Sequence, residues 1–355
     1  MATSVIVVKV GTSSVTTAQG TIDHEVLGRI ARDIAALRER GTHCVVVTSG
    51  AITAGWASVG AGKARPTDTL LLQAVSAVGQ PLLMAAWREA FAPYNLPVAQ
   101  VLLVPIDFRT RGLYLQARAT LQSLDLLGAV TIINENDAVV DEEIRYGDND
   151  RLAALVANMV GATHLVLLTD TSGLLTADPR LDPNATLIEE VRAVEEVEAL
   201  AGASTSGVGS GGMASKLAAA RMATWSGIET IIAPAKSEFP VAGALNGVEG
   251  HGTTLVARAD RLAARKSWIA FAVASHGQIT VNQGAMQALE NHGRSLLRVG
   301  ATGFTGTFVE GDAVDILGPE GHLIAKGLTK VSSEHFSDSD DVIVHRDDLV
   351  LLRKP

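Results

Sequence analysis

The sequence contains a single cysteine in 355 residues, Cys44, and only 4% of its residues are aromatic. One cysteine excludes an internal disulfide and fits a reducing compartment, and its place in the strand-like run 43–47 predicts a packing role. The start of the chain has no basic n-region, and no segment is expected to approach the roughly 20 apolar residues of a membrane span. We therefore expect a soluble, cytoplasmic protein without a signal peptide.

Several common site signatures are also missing. The nine histidines are scattered without metal-ligand spacing, so no metal site built from side chains is expected. A G-x-x-x-x-G-K-[ST] motif does not occur, which disfavours a P-loop NTPase. Gly207, Gly209 and Gly212 fit G-x-G-x-x-G, but no strand precedes them and no acidic residue ends the next strand, so a dinucleotide fingerprint is disfavoured.

What the sequence does contain is an alternation of apolar runs and amphipathic stretches from residue 1 to about 260. This pattern is typical of an α/β fold with an open, mainly parallel sheet sandwiched by helices. Strands are predicted at about 4–10, 43–48, 98–104, 129–134, 164–169 and 228–233. Helices are predicted at about 23–40, 67–91, 110–127, 148–160 and 213–226.

After residue 266 the pattern changes to short strands separated by glycine-rich turns, which predicts a small C-terminal β-barrel. The length of the chain also favours two domains. The predicted bounds are 1–260 and 268–355, with the Ala- and Arg-rich stretch 257–266 as the connector.

Two glycine-rich turns each carry one lysine in a position suited to a phosphate. The run 202–216 leads into a helix with Lys216 on its first turns, and the strand 4–10 meets Gly11 with Lys9 at its carboxyl end. Glycines let the backbone approach an anion, and amides at a helix start point toward it. Two such turns predict a polyphosphate substrate.

Polar side chains follow other strand ends and predict a second kind of pocket. Ser49 offers a hydroxyl at a strand-to-helix turn, with helix capping as the alternative. The stretch 134–137 carries Asn, Glu, Asn and Asp, and 147–151 precedes a helix that Asp148 or Asn149 could instead cap. Acids and amides suit an ammonium group and the serine turn suits a carboxylate, so the set predicts an amino-acid pocket.

Taken together, the motifs resemble the glutamate 5-kinase family of the amino-acid kinase superfamily, along essentially the whole chain and in order. The motifs are 8–13, 47–52, 133–138, 147–150, 168–170, 173–180 and 209–216, and the region that includes 277–282 resembles a PUA domain. The resemblance implies ATP-dependent phosphorylation of the glutamate γ-carboxylate with Mg²⁺, the step that opens proline synthesis. It further implies a homo-oligomer, a dimer or a tetramer, under feedback by proline.

The resemblance assigns roles residue by residue. Lys9 and Lys216 match the lysines that stabilise the transferring phosphoryl group, and Asp150 matches the aspartate that orients them. The glutamate pocket matches Ser49, Asp137, Asp148 and Asn149. The ATP site matches Lys9, Thr169, Asp170, Ser210, Gly211, Gly212, Met213, Ala214, Ser215 and Lys216. At position 145 this sequence has Arg where related enzymes have Lys, which leaves the contacts of this residue to substrate or inhibitor open.

Other functions remain open at this point. An aspartate, acetylglutamate or uridylate kinase would share the lysine turns and differ in the acceptor pocket, where the acids favour a free amino acid. An RNA-binding protein is the alternative from another class. Residues 268–355 hold 7 Lys and Arg against 11 Asp and Glu, whereas RNA-binding modules present a basic face, so RNA binding is disfavoured.

Overall fold

The structure is a computed structural model that describes residues 4–60, 64–139, 149–197, 212–248, 250–336 and 342–352. The chain divides into two compact units, Met1–Arg261 and Leu262–Pro355.

The first unit is built on an eight-stranded sheet of order β3-β4-β2-β1-β5-β7-β8-β6. Its strands are β1 (Val5–Val10), β2 (His43–Thr48), β3 (Val98–Leu103), β4 (Val130–Glu135), β5 (His164–Thr169), β6 (Glu190–Val191), β7 (Glu229–Pro234) and β8 (Thr253–Leu255). All neighbouring pairs are parallel except β7 with β8. The prediction of an open, mainly parallel sheet is confirmed, with each of the six predicted strands within one residue of its expected bounds.

Helices connect these strands. They are α1 (Thr12–Val15), α2 (His24–Glu39), α3 (Ala51–Val59), α4 (Thr69–Phe91), α5 (Pro105–Arg109), α6 (Arg111–Leu126), α7 (Asn149–Val160), α8 (Met213–Trp225) and α9 (Ala242–Leu245). The helices α2 and α4 start where the sequence supplies a side-chain cap. Asp23 accepts the Val26 amide at 3.2 Å and Asp68 accepts the Leu71 amide at 2.8 Å.

Helix α3 was not predicted, because its nine residues carry no clear apolar stripe. It is held instead by close packing on α4. A Cβ on Gly55 would lie 2.1 Å from the Val75 carbonyl oxygen, and one on Gly79 would lie 1.8 Å from the Ala51 carbonyl oxygen. The two helix backbones touch at these glycines, so the contact depends on tertiary structure that a single helix pattern does not record.

The main core lies between the sheet and the helices α2 and α4. Val8 of β1 pairs with Val46 of β2 and Val166 of β5, and all three are fully buried. Ile30 of α2 and Trp87 of α4 pack against the same cluster. Such a run of buried β-branched residues on adjacent parallel strands fixes β1 at the centre of the sheet.

Helix α4 departs from the expectation that no segment resembles a membrane span. With the turn that follows it, Thr69–Tyr94, it is long and apolar enough to cross a membrane by length and composition, with a mean hydropathy of 1.4 over 18 residues. Its inner face packs in the core through Leu83, Trp87 and Phe91. The high hydropathy arises because the outer face is apolar too, as at Leu82, which is 41% exposed.

The second unit contains a six-stranded sheet of order β10-β14-β13-β12-β9-β11. Its strands are β9 (Ser275–Val281), β10 (Leu296–Leu297), β11 (Ala301–Gly306), β12 (Ala313–Leu317), β13 (Leu323–Thr329) and β14 (Val342–Leu351), with helices α10 (Ala264–Ser267) and α11 (Gln283–His292). All neighbouring pairs are antiparallel except β9 with β12. The sheet curls into a half-barrel around Phe308 and Phe336, in line with the predicted barrel.

Candidate active site

A cavity of about 520 Å³ opens where the carboxyl ends of β1, β2, β4 and β5 meet. These strands are neighbours and parallel, so residues that follow their ends gather at one edge of the sheet. The polar residues that line the cavity are Lys9, Thr12, Ser13, Ser14, Thr16, Thr17, Ser49, Thr53, Arg65, Asn134, Glu135, Asp137, Asn149, Thr169, Asp170, Lys216 and Lys236.

Two lysines share one carboxylate at this edge. The Lys9 Nζ lies 2.5 Å from Asp150 Oδ1, and the Lys216 Nζ lies 3.1 Å from Asp150 Oδ2. Asp150 is fully buried, and the lysines are 2% and 5% exposed. One negative charge bridges two positive charges, so the trio carries a net positive charge toward the cavity that both lysines line.

The described parts of the two glycine-rich turns predicted to bind phosphate lie beside these lysines. Gly11 follows β1, and a Cβ there would come 3.5 Å from the Lys9 Nζ. Gly212 caps α8, whose first residues are Met213, Ala214 and Ser215, but of this stretch only Lys216 lines the cavity. Ser210 and Gly211 lie outside the described residues.

The turn after β2 brings Ser49 to the same cavity. Gly50 has φ 107°, a conformation that favours glycine, and a Cβ there would lie 2.7 Å from Val15 Cγ2. Gly50, not Ser49, is the N-cap of α3, and it makes no side-chain cap. The alternative that Ser49 caps the helix is therefore wrong, and its hydroxyl is directed elsewhere, toward Asn149.

Asn149 joins the end of β4 to the end of β2. Its Nδ2 lies 2.6 Å from the Thr48 carbonyl oxygen, 2.8 Å from Ser49 Oγ and 2.8 Å from Asn134 Oδ1, so its two hydrogens are shared among three acceptors. The amide nitrogen of Asn149 is thus hydrogen-bonded to residues around the pocket, which disfavours the interpretation of Asn149 as a helix cap. Asp137, two residues beyond β4, also lines the cavity and accepts the Ser76 hydroxyl at 2.9 Å.

Thr169 and Asp170 form a third part of the lining, at the end of β5. Thr169 is buried and donates to Asp170 Oδ1 at 3.2 Å, while Asp170 is exposed. Lys236 follows the neighbouring strand β7 and lines the cavity, although sequence reasoning did not assign it. Its position after a strand end is the same signal that identified Lys9. Arg65, in the segment before α4, also lines the cavity, but it does not follow a strand end, so the sequence carried no indication of this position.

The structure thus brings together Lys9, Ser49, Asp137, Asn149, Thr169, Asp170 and Lys216, with Asp150 directly behind the lysines. Asn134 and Glu135 were noted in the sequence but not assigned roles, and both are buried and line the cavity. Asp148 and Arg145 lie outside the described residues.

Within the part of the chain that the structure describes, no group of three or more His, Cys, Asp or Glu side chains is placed to hold a metal ion. Mg²⁺ usually keeps several waters and binds through one or two carboxylates and the oxygens of a phosphate substrate. The cavity supplies exposed Asp170 and room for a nucleotide, so its donor set fits a cation that arrives with that substrate.

A parallel sheet with buried lysines at its carboxyl edge defines a class of phosphoryl-transfer proteins, and the family comparison agrees. The model of the amino acid kinase family matches residues 4–234, and that of the PUA domain matches residues 277–344. The chain belongs to the amino acid kinase family.

Comparison with individual curated proteins gives a narrower match than the family model does. The chain is 44% identical to the glutamate 5-kinase of Burkholderia ambifaria, over 98% of this chain and 97% of that protein. The glutamate 5-kinase of Burkholderia multivorans matches at the same identity and coverage. Among solved structures, UMP kinase from Ureaplasma parvum matches 72% of this chain and all of its own, with a TM-score of 0.51 and 13% identity, and so shares the fold alone.

Proposed function

We propose that this chain transfers the γ-phosphoryl group of ATP to the γ-carboxylate of L-glutamate, giving L-glutamyl 5-phosphate for proline synthesis. One observation carries the proposal. Consecutive residues of α7 serve two different clusters, since Asn149 bonds to Ser49 and Asn134 while Asp150 pairs with Lys9 and Lys216. An acceptor held by the first cluster lies directly beside the charges of the second.

The lysine cluster supplies the electrostatics of the transfer. A glutamate carboxylate, with a pKa of about 4.3, is ionised at neutral pH and needs no general base. Its attack on a phosphate brings two anions together, so the main requirement is positive charge where the equatorial oxygens of the phosphoryl group develop charge. Lys9 and Lys216 supply that charge, and Asp150 orients both ammonium groups.

The nucleotide occupies the β5 side of the cavity in this proposal. Thr169 and Asp170 line it there, and the segment from Ser210 through Gly211, Gly212, Met213, Ala214 and Ser215 to Lys216 holds the phosphates with its amides. When bound, Mg²⁺ neutralises charge on the phosphate oxygens of ATP.

The acceptor pocket favours a free α-amino acid. Asp137 offers a carboxylate, and Asn149 and Ser49 offer polar groups, within one side of the cavity. With Asp148, these groups suit an ammonium and a carboxylate on one carbon. An acetylated amino group carries no positive charge and a nucleoside monophosphate has no ammonium, so neither uses the acidic side chains.

A coupled assay of ADP release tests this proposal directly. The purified chain is supplied with ATP and Mg²⁺ and, in separate reactions, with glutamate, aspartate, N-acetylglutamate or UMP. We expect kcat/KM to be highest for glutamate. A higher kcat/KM for one of the other three acceptors would show that this acceptor, and not glutamate, is the substrate.

The same proposal includes a second copy of the chain as partner. Strand β3 is the edge of the sheet, and helix α4 packs beside it. Both expose apolar side chains, including Leu71 (48%), Val78 (41%) and Leu82 (41%) on α4 and Leu102 (36%) on β3. An exposed apolar face next to an open sheet edge favours association.

Light scattering tests the oligomer. Leu82→Glu places a charge on the outer face of α4 and should lower the mass to that of one chain. Leu181→Glu alters a leucine that is 85% exposed elsewhere in the first unit and should leave the mass unchanged. A monomeric wild-type chain would exclude the oligomer, and an unchanged mass for Leu82→Glu would exclude this face.

Regulation and location complete the proposal. We expect proline to inhibit glutamate-dependent ADP release, the second unit to tune the kinase without binding RNA, and the enzyme to be cytoplasmic. The same assay with added proline, a mobility-shift measurement with structured RNA, and fractionation of cells check these three points. The RNA and fractionation measurements are independent of the choice of acceptor.

A further inference from the structure

The inner face of α4 contacts the acceptor side of the cavity through two polar residues. Ser76 and Gln80 are four residues apart and so share one face of the helix. Ser76 is 4% exposed and donates to Asp137 Oδ2 at 2.9 Å, and Gln80 is 9% exposed and accepts the Asn134 Nδ2 at 2.9 Å. Neither lines the cavity, so each reaches it only through another side chain.

Backbone groups fix the direction of every amide in this network. The Glu135 amide donates at 2.9 Å, so the Asn134 atom that it contacts must be the oxygen. The Asn134 nitrogen then faces Gln80, which must present its own oxygen. At the other end, the Thr48 carbonyl can only accept, so Asn149 must present its nitrogen there.

The orientation of these amides decides whether the pocket offers a hydrogen-bond donor or an acceptor to a ligand. With Asn149 Nδ2 committed to Thr48, Ser49 and Asn134, its Oδ1 makes no hydrogen bond to the described residues. Asn149 and Asp137 line the same cavity. An amide oxygen there accepts from an ammonium, whereas the opposite amide orientation would present a donor and repel it. Gln80 therefore acts on the ligand through the orientation of two asparagines.

Close packing leaves α4 little freedom to move away from the pocket. The backbones of α3 and α4 meet at Gly55 and Gly79. Helix α3 begins directly after Ser49 and Gly50, so the turn that lines the cavity, the helix behind it and the two polar residues form one packed body. A side chain on α4 is therefore held at a fixed distance from the residues it orients.

We infer that Ser76 and Gln80 are positioning residues for the amino group of the acceptor amino acid, with Gln80 acting through Asn134 and Asn149 and Ser76 through Asp137. The inference rests on the proposed function, since it assigns these residues to the acceptor side of the same site. Neither residue touches the substrate.

Steady-state kinetics of two variants test the inference. Gln80→Met keeps the length of the side chain and removes the acceptor for Asn134, and Ser76→Ala removes the donor to Asp137. We expect each to raise the KM for the acceptor about tenfold, the usual size of one hydrogen bond to a buried or charged group. The KM for ATP should stay near the wild-type value, and the Tm should fall by only a few degrees, because one buried hydrogen bond is lost. Gln122→Met and Ser123→Ala make the same chemical changes at exposed positions of α6 and should alter neither KM.

A double-variant cycle separates positioning from general damage. If Gln80 acts through Asn134, then Gln80→Met adds little to the KM of an Asn134→Ala chain, and the two effects are not additive. Additive effects, an unchanged acceptor KM, or equal rises in the KM for the acceptor and the KM for ATP would each overturn the inference.

The wild-type chain is measured first with the four acceptors named above. If it phosphorylates an acceptor other than glutamate, the cycle is run with that acceptor, and the two proposals are judged separately. If it phosphorylates none, both fall together.

Discussion

Replacement of Asp150 by asparagine tests how the charged trio is balanced. Asp150 is fully buried and contacts Lys9 Nζ at 2.5 Å and Lys216 Nζ at 3.1 Å. Asp150→Asn keeps the volume of the side chain and removes its negative charge. The two buried ammonium groups then lose this carboxylate. Breaking a buried ion pair from one side costs about 3–5 kcal/mol. With about 2–4 °C of Tm per kcal/mol for a unit of this size, the ligand-free Tm should fall by roughly 10 °C.

The lysine variants should behave differently. Lys9→Met or Lys216→Met leaves Asp150 paired with the other lysine, so the Tm should fall less than in Asp150→Asn. Activity should fall more than stability, because each lysine is proposed to stabilise the transition state, and kcat should drop by about 10² or more with a smaller change in the KM for glutamate. A lysine variant with near-normal kcat would remove that lysine from the mechanism.

The combined variant Lys9→Met, Asp150→Asn, Lys216→Met completes the series. With all three charges gone, no member of this trio is left as an unpaired buried charge, and such replacements are often neutral or stabilising. We expect the Tm to return close to the wild-type value while the kinase stays inactive.

Thermal unfolding, with and without ATP and Mg²⁺, measures the series. A bound polyphosphate supplies the negative charge that Asp150→Asn lacks, so ATP should raise the Tm of this variant by more than it raises that of the wild type. Asp347→Asn, whose side chain is 76% exposed, is the matched control and should change the Tm little. A wild-type Tm for Asp150→Asn, or a combined variant as unstable as Asp150→Asn, would refute the reasoning.

Three further predictions follow from the site, the core and the two units. Asp137→Asn should raise the KM for glutamate at least about tenfold and leave that for ATP unchanged in steady-state kinetics, since only the ammonium contact is lost; a parallel rise in both would indicate general disruption. Burial raises the pKa of the Cys44 thiol from 9.0 to about 12, so above pH 9 the unfolded chain loses this proton before the folded one, and the free energy of unfolding should fall as the pH rises. Cys44→Ala should lessen that slope in urea denaturation between pH 8 and pH 10, and equal slopes in both proteins would contradict the prediction. A chain that ends near residue 262 should remain a folded kinase, as checked by circular dichroism and ADP release, and an inactive but folded truncation would show that the second unit completes the site.

The sequence was most informative where strand ends dictate position. Lys9 lies one residue before the end of the middle strand and Thr169 is the last residue of the strand beside it, and parallel pairing alone places both at one edge of the sheet. The contact of Lys9 and Lys216 with one carboxylate is geometry that no spacing in the sequence records, and the role of Asp150 came from family resemblance. Lys236 also follows a strand end, that of β7, and lines the cavity, so the same pattern in the sequence pointed to it.

Helical residues were harder to assign, for a physical reason. Ser76 and Gln80 occupy positions that any buried helix face could present, and only the packing of α4 against α3 and β4 shows that the face meets the pocket. Asn149 could cap its own helix or reach another strand, and both choices satisfy local preferences. Such choices depend on long-range contacts, which a single sequence does not specify.

In the proposed mechanism, the first residues of α7 give the two halves of the site different requirements. Asp150 acts through charge, and charge acts over distance, so modest shifts of Lys9 or Lys216 preserve its effect. Asn149 acts through the direction of one amide, and a reversal of that amide changes an acceptor into a donor without moving any atom far. The phosphoryl side therefore needs the right charges, whereas the acceptor side also needs a supporting network that holds polarity. Under this proposal, that requirement is the reason for a glutamine and a serine buried on a helix whose other face is apolar.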